Sequence, residues 1–255
     1  MGTRMPILCR LSILVLLACV AAGAADSNKL VFVLFDLSDS TRPAAAGSKN
    51  SVRDQYLKEF RFILDSLKAG DAIVADGIRD NPLTQANFPV NEQLKPSAGW
   101  FGNPLREKAE FKQAKDKIQS GVENLFRNAP NQVRFTKILD AMQLADRVFA
   151  SIKRDRKVLV IFSDMVEESD RYNFITQPPS SARAQQVLKQ EQARRALPRL
   201  KGVEVYVSGA GAGSYGNAGT DTIQAIKDFW LKYFGLCGAN LPPERYGSAL
   251  LTFNP

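Results

Sequence analysis

Three oxygen-bearing side chains stand at alternate positions directly after an apolar run, in the segment Asp36-Leu37-Ser38-Asp39-Ser40. The run before it, residues 30–35, is unbroken and rich in Val and Phe, which is typical of a fully buried parallel strand. Ligands of open α/β sheets bind outside the carboxyl ends of such strands. Asp36, Ser38 and Ser40 offer hard oxygen donors that suit Mg²⁺, Mn²⁺ or Ca²⁺. The segment therefore predicts a divalent-cation site at this strand end.

A hydrophobic strand followed by Asp-x-Ser-x-Ser resembles the metal-ion-dependent adhesion site (MIDAS) of von Willebrand factor A domains, a doubly wound α/β family. That family takes its remaining ligands from a Thr in the loop before a helix and from an Asp at the end of the next central strand. Thr136 precedes an amphipathic helical pattern, and Asp164 follows the apolar run 157–162. The resemblance covers nearly the whole chain after residue 24. It implies a metal-ligand set of Asp36, Ser38, Ser40, Thr136 and Asp164.

What the resemblance implies is binding without catalysis. Ser38 and Ser40 would contact the cation directly, and Thr136 directly or through water. Asp36 and Asp164 would act mostly through water and through hydrogen bonds to the hydroxyls. The ion, Mg²⁺ or Mn²⁺, would stay electrophilic and accept a carboxylate from a protein partner. Met165 stands where the family usually has Gly, so the turn after Asp164 is expected to differ.

The first 24 residues are typical of an export signal. Arg4 and Arg10 supply positive charge before the apolar core Leu11 to Val20, and Ala22-Gly23-Ala24 offers a cleavage site. The apolar stretch is short for a bilayer span. Leu16-Leu17-Ala18-Cys19 also resembles a bacterial lipoprotein box, which leaves lipidation of Cys19 open. We therefore expect an exported bacterial protein, periplasmic or secreted, that associates with a membrane only if Cys19 is lipidated.

Composition limits the remaining chemistry. The formal net charge is +8, and losing Arg4 and Arg10 with the signal leaves +6, which favours acidic partners only mildly. Cys237 is the only cysteine after the signal, which excludes an internal disulfide and a cysteine-based zinc site. The chain has no histidine, so Ser-His-Asp and Cys-His nucleophile systems and imidazole metal sites are excluded.

Apolar runs and helical periodicity alternate along the chain. Strands are predicted at 30–35, 71–75, 157–162 and 203–207, with an edge strand near 86–90. Helices are predicted after Ser51, over Pro104 to Asn128, from Thr136, over Ala182 to Leu200 and over Thr220 to Phe234. This order predicts a doubly wound α/β fold with a mostly parallel central sheet, similar to von Willebrand factor A or Rossmann folds. The domain would span 25–234, with a long irregular insertion at 76–103 and a tail at 235–255.

Several segments near the predicted site have two interpretations. Thr136 can be a metal ligand or a helix cap. Glu167, Glu168 and Asp170 can add outer-sphere oxygens, although we favour solvated loop residues. The glycine-rich run 209–214 matches a nucleotide-binding pattern poorly, which favours a flexible loop beside the metal.

Three further segments could meet a partner. The basic residues of 182–201 favour a solvated helix face over nucleic acid or anionic lipid, so no nucleic-acid partner is expected. The pair Trp100-Phe101 favours packing onto the core over a partner surface. The apolar patch Ala249-Leu250-Leu251 can dock back or bind a partner, and the oligomeric state stays open.

Two other functions compete with metal-dependent binding. The chain could be a scaffold or assembly subunit of an envelope complex, with a structural or vestigial metal site. It could also be a phosphotransferase of the haloacid dehalogenase type with Asp36 as nucleophile. The motif of such enzymes is Asp-x-Asp, in which the second carboxylate is the general acid. Ser38 stands at that position here, so the sequence disfavours the enzyme.

Overall fold

The computed structural model describes residues 28–41, 51–96, 102–130, 132–212, 219–251 and 253. The export signal with Cys19, the pair Trp100-Phe101 and the end of the glycine-rich run lie outside these residues. Within the described part, five strands form one sheet in the order β3-β2-β1-β4-β5. The strands are β1 Lys29–Asp36, β2 Ala72–Ile78, β3 Val90–Gln93, β4 Arg156–Phe162 and β5 Val203–Ser208.

Helices connect these strands and cover the sheet on both faces. They are α1 Val52–Ser66, α2 Pro82–Gln85, α3 Pro104–Arg127, α4 Ile138–Ser151, α5 Ser181–Ala193 and α6 Thr220–Leu236. Ser51 caps α1 as predicted, in a capping box with Asp54. No helix in the described ranges is long and apolar enough to cross a membrane.

Strand pairing confirms the predicted fold class. Central strand β1 pairs in parallel with β2 and β4, β4 pairs in parallel with β5, and only β3 is antiparallel, on β2. Phe35 near the end of β1 lies opposite Phe162 at the end of β4, and their rings stack with centroids 5.0 Å apart. Because parallel strands finish at the same edge of the sheet, the segments after β1, β4 and β5 emerge side by side.

The hydrophobic core has two layers, one on each face of the sheet. Side chains of α1 and α3 pack on one face, for example Tyr56 and Ile118, beside the strand residues Val33 and Phe162. Side chains of α4, α5 and α6 pack on the other face. This two-sided cover is the doubly wound arrangement, and it explains why the central strands β1 and β4 are continuous apolar runs over residues 30–35 and 158–162.

Some predicted bounds were wrong. Helix α5 ends at Ala193 instead of Leu200, because Arg195 takes a left-handed backbone (φ 55°) that a helix cannot continue through. Strand β2 extends to Ile78, beyond the predicted Ala75. The edge strand begins at Val90 instead of near Ala86, because Phe88 is also left-handed (φ 43°) and Pro89 has no amide proton for a ladder.

The C-terminal tail docks back along the outer edge of β5. Asn240 and Tyr246 form parallel bridges to Glu204 and Val207. The Leu250 amide donates to Oε2 of Glu59 in α1 at 2.9 Å. The tail therefore covers a sheet edge that would otherwise present unpaired backbone groups.

Candidate metal centre

Asp36 is the last residue of β1, and its carboxylate is fully buried and held on both oxygens. Oδ1 accepts the amide of Ser38 at 2.8 Å, and Oδ2 accepts the hydroxyl of Ser163 at 2.7 Å. A short 3-10 turn over Asp39–Thr41 follows, and Thr41 closes it by donating to the Ser38 carbonyl at 2.9 Å. The turn fixes the predicted Asp-x-Ser-x-Ser segment directly outside the strand.

Burial sets the electrostatics of Asp36. Burial raises the pKa of this carboxyl above its usual range, while hydrogen bonds from Ser38 and Ser163 and the positive charge of Arg53 oppose the rise. Arg53 reaches the segment from α1, where it donates to the Leu37 carbonyl at 3.1 Å. A buried carboxylate of this kind gains from a cation placed against it, because the cation offsets the loss of solvation.

Asp164 follows β4, next to β1 in the sheet, and is also buried. Its Oδ1 accepts the amide of Val166 at 3.0 Å, and its carbonyl accepts the amide of Gly211 at 3.1 Å. Met165 has φ 65°, the left-handed conformation that glycine adopts without strain. The Met165 carbonyl accepts the indole N–H of Trp230 at 2.8 Å, which holds this turn in place.

Thr136 is buried, but it is not the helix cap that the sequence allowed. The N-cap of α4 is Lys137, which makes no side-chain capping bond. Thr136 instead exchanges two backbone hydrogen bonds with Glu168, at 2.9 and 3.1 Å. This pairing ties the Thr136 segment to the loop that begins at Asp164.

The structure describes the positions of the five predicted ligands to different extents. Asp36 and Asp164 lie at the ends of adjacent strands, with Ser38 buried in the turn after Asp36. Thr136 is attached to the Asp164 loop through Glu168. Ser40 has its backbone in the 3-10 turn, and its side chain lies outside the described part of the structure. The assignment of these five residues as metal ligands remains a prediction.

Of the three acids after Asp164, Glu167 corrects the expectation of solvated loop residues. Its side chain is 0% exposed, and its Oε2 accepts the Leu139 amide at 3.0 Å, at the start of α4. Burial raises the pKa of Glu167 to about 7. Asp170 does meet solvent and pairs with Lys137 at 2.8 Å. Residue spacing gave no signal that separated Glu167 from its acidic neighbours.

Tyr56 is a second residue whose relation to the site the sequence did not reveal. The helical periodicity placed its ring correctly on the buried face of α1, but it said nothing about the hydroxyl. That hydroxyl is buried and has no hydrogen-bond partner among the described residues. Burial, followed by the charges of Asp36, Asp164 and Glu59, raises the pKa of Tyr56 well above its usual value.

The donor set suits a hard divalent cation. In the described ranges no three Asp, Glu, His or Cys side chains gather as a metal-binding group. The predicted centre needs only two carboxylates, with hydroxyls as the other ligands, and hydroxyl and carboxylate oxygens are ligands of Mg²⁺ and Mn²⁺. The Tyr56 hydroxyl, which these carboxylates influence electrostatically, has no hydrogen-bond partner in the part of the chain that the structure describes, as expected for a site that binds further polar groups.

Cavity size alone would have pointed elsewhere. A cleft of about 1020 Å³ lies between the end of β3 and α3, lined by residues such as Leu94, Phe111 and Lys117. A cavity of about 10 Å³, lined by Asp164, Gly211 and Tyr246 among others, adjoins the candidate centre. We assign the site to the sheet edge, because buried carboxylates that accept hydrogen bonds are more typical of functional sites than the solvated Lys and Glu side chains that line the cleft.

No protein-family model matches the chain, and no curated protein matches it. Solved structures do resemble it. A point mutant of the PilB minor pilin from Streptococcus sanguinis aligns with a TM-score of 0.51 and 14% identity, over 87% of this chain and 59% of the other. A von Willebrand factor type A protein from Catenulispora acidiphila aligns with a TM-score of 0.40 and 11% identity, over 83% of this chain and 43% of the other.

A further structure of the PilB minor pilin aligns with a TM-score of 0.37 and 15% identity, over 83% of this chain and 62% of the other. This chain therefore spans between 43% and 62% of the length of these three structures. At these identities the likeness concerns the fold alone.

Proposed function

We propose that this protein is exported and binds a protein partner through a divalent cation, Mg²⁺ or Mn²⁺, at the carboxyl edge of its sheet. One observation carries the proposal: two buried carboxylates, Asp36 and Asp164, leave adjacent central strands and are each held by hydrogen-bond donors. A protein that needed only a stable core would gain nothing from burying two acids at one strand edge.

In this proposal Ser38 and Ser40 bind the cation directly, and Thr136 directly or through water. Asp36 and Asp164 hold the surrounding waters and orient the hydroxyls. The bound cation supplies a Lewis-acidic position for a carboxylate oxygen. Because the direct ligands are neutral hydroxyls, the centre retains affinity for an anionic group. The partner would therefore present an Asp or Glu side chain.

The test is isothermal calorimetry of the purified protein with Mg²⁺, Mn²⁺ and Ca²⁺, beside a Ser38→Ala, Ser40→Ala double variant. We expect saturable binding that the double variant loses while it keeps its circular dichroism spectrum and its cooperative unfolding. Absence of binding in the wild type would contradict the proposal. Loss of fold in the variant, equal to the loss of binding, would also count against it.

A scaffold role is the second candidate, and the fold likeness to a minor pilin supports it. A subunit of a pilus or another envelope assembly would use this fold for docking, with or without metal. The two functions differ in their response to a chelator. Partner binding that persists in EDTA favours the scaffold, and binding that EDTA abolishes and Mg²⁺ restores favours the metal-dependent function.

A further inference from the structure

Tyr56 lies on the inward face of α1, which packs on the central sheet. It is fully buried, and its ring packs against that of Phe162, the last residue of β4, with centroids 5.2 Å apart. Asp164 follows Phe162 by two residues. The ring of Tyr56 is therefore anchored at the strand end from which one of the two carboxylates emerges.

The hydroxyl of Tyr56 points to the loops at this edge of the sheet. The hydroxyl lies close to Gly209, directly after β5, where an added Cβ would collide with the phenol oxygen. Gly209 has φ 96°, so both its backbone and the absence of a side chain make room for the hydroxyl. Despite this accommodation the hydroxyl has no hydrogen-bond partner among the described residues. Buried hydroxyls are rarely left so, unless a bound group completes them.

Three carboxylates act electrostatically on the Tyr56 hydroxyl. Burial, followed by the charges of Asp36, Asp164 and Glu59, raises the pKa of Tyr56, so the phenol stays protonated and remains a donor. Glu59 is already occupied, because it accepts the Ser208 hydroxyl at 2.5 Å and the Leu250 amide at 2.9 Å. Asp36 and Asp164 are the two acids assigned to the metal centre. A donor beside them suits the waters that such carboxylates hold.

We propose that Tyr56 is a positioning residue of the metal centre, whose hydroxyl donates a hydrogen bond into the water shell that Asp36 and Asp164 hold around the cation. The inference rests on the proposed function, since it requires that the centre binds metal. It adds a fixed donor from α1 to a ligand set that otherwise comes only from the loops at the edge of the sheet. The donor would orient waters that the carboxylates alone leave free to rotate.

The chain offers a matched control. Tyr233 in α6 also has a fully buried hydroxyl, but it lies beside the Cys237 thiol and packs on the opposite face of the sheet. Tyr56→Phe and Tyr233→Phe remove the same atom from the two faces. Calorimetry with Mg²⁺ and Mn²⁺ measures the affinity of wild type and both variants. Ultraviolet difference spectroscopy, recorded as metal is added, reports whether a tyrosine hydroxyl gains a hydrogen bond on binding.

We expect Tyr56→Phe to weaken metal binding about tenfold, the effect of losing one hydrogen bond to a charged assembly. It should also abolish the metal-induced tyrosine difference spectrum, which Tyr233→Phe should retain together with its affinity. Equal affinity of wild type and Tyr56→Phe would overturn the role of Tyr56 and leave the metal centre intact. Equal weakening in both variants would overturn it too. Absence of metal binding in the wild type would overturn the proposed function itself, and with it this inference.

Discussion

The hydroxyl of Ser163 donates to Oδ2 of Asp36 at 2.7 Å, across the boundary between β4 and β1. The same Ser163 oxygen accepts the amide of Met165 at 3.0 Å. One buried hydroxyl thus connects the carboxylate at the end of β1 with the turn that carries Asp164. Its two hydrogen bonds therefore join the strand end that carries Asp36 to the turn that follows Asp164.

Replacing Ser163 by Ala should therefore damage both the fold and the centre. The change removes one of the hydrogen bonds to Asp36 and the side-chain acceptor of the buried Met165 amide, which costs about 1–3 kcal/mol of unfolding free energy. The pKa of Asp36 should rise further, because the Ser163 hydrogen bond is one of the effects that lower it. Urea unfolding in EDTA measures the first effect, and calorimetry with Mg²⁺ should show weaker binding.

Ser151→Ala is the control for this experiment. Its hydroxyl donates to the Val148 carbonyl at the exposed end of α4, 2.9 Å away. Its removal should change the unfolding free energy by less than about 0.5 kcal/mol. A Ser163→Ala variant as stable as Ser151→Ala would show that the bond to Asp36 does not stabilise the edge of the sheet.

Met165 should reverse the usual preference for alanine over glycine. It is fully buried with φ 65°. Both Met165→Gly and Met165→Ala remove the buried side chain and should lose about 2–5 kcal/mol of unfolding free energy. The glycine variant should be the more stable of the two by about 1 kcal/mol, because only glycine takes a left-handed backbone without strain.

Met142 supplies the comparison, because it is equally buried but lies in the middle of α4. There Met142→Ala should be more stable than Met142→Gly by about 1 kcal/mol, the ordinary helical order. Urea unfolding of the four variants gives both differences. The same order at the two positions would mean that the turn after Asp164 is not left-handed in solution.

The sequence predicted the parts of the molecule that follow from short-range patterns. Continuous apolar runs located β1 and β4, and an alternating pattern located β5, each within about one residue. Parallel topology then placed Asp36 and Asp164 at one edge. The capping role of Ser51 was also local. Interruptions by left-handed residues such as Phe88 and Arg195 were not predicted, because no glycine marks them.

Partners of buried polar atoms could not be predicted. Periodicity indicates that Tyr56 faces inward, but not that its hydroxyl has no hydrogen-bond partner among the described residues or that two carboxylates act on it electrostatically. Glu167 stands among other acids, and only the approach of α4 makes it a buried acceptor. Glu59 likewise accepts the amide of Leu250, which lies 191 positions later in the chain. These contacts depend on tertiary structure, and no local signal specifies them.

Glu59 should control the attachment of the C-terminal tail. Its carboxylate accepts the Leu250 amide, the Ser208 hydroxyl and the side-chain amide of Gln55. Glu59→Gln replaces one acceptor oxygen by a donor, so at least one of these bonds is lost, at a cost of about 1–3 kcal/mol. Hydrogen exchange followed by mass spectrometry should show faster exchange at residues 247–251.

Glu123→Gln is the matched control, because Glu123 in α3 accepts the side-chain amide of Gln119, one turn earlier on the same helix, at 2.9 Å. Its tail should exchange at the wild-type rate. Unchanged protection of Leu250 in Glu59→Gln would mean that packing of the tail, and not the carboxylate, keeps it on the sheet.

Glu167 should make stability fall as pH rises. Its pKa is raised from 4.5 to about 7 in the folded protein, so the folded state holds this proton more tightly than the unfolded chain does. The stability that this group contributes is complete below about pH 4.5 and is lost as the pH rises through about 7. The whole change amounts to about 3 kcal/mol.

Urea unfolding in EDTA at pH 5 and pH 8 tests this for wild type and Glu167→Gln. Glutamine cannot ionise and still offers an oxygen to the Leu139 amide, the bond that Glu167 makes at 3.0 Å. The variant should therefore gain stability relative to wild type on going from pH 5 to pH 8, by about 2.5 kcal/mol of the whole change. Glu168→Gln, at the partly exposed neighbouring position, should follow the wild-type profile. Parallel profiles for Glu167→Gln and wild type would show that the Glu167 carboxyl ionises at the same pH in the folded and the unfolded chain. That result would contradict the pKa rise expected from its burial at the start of α4.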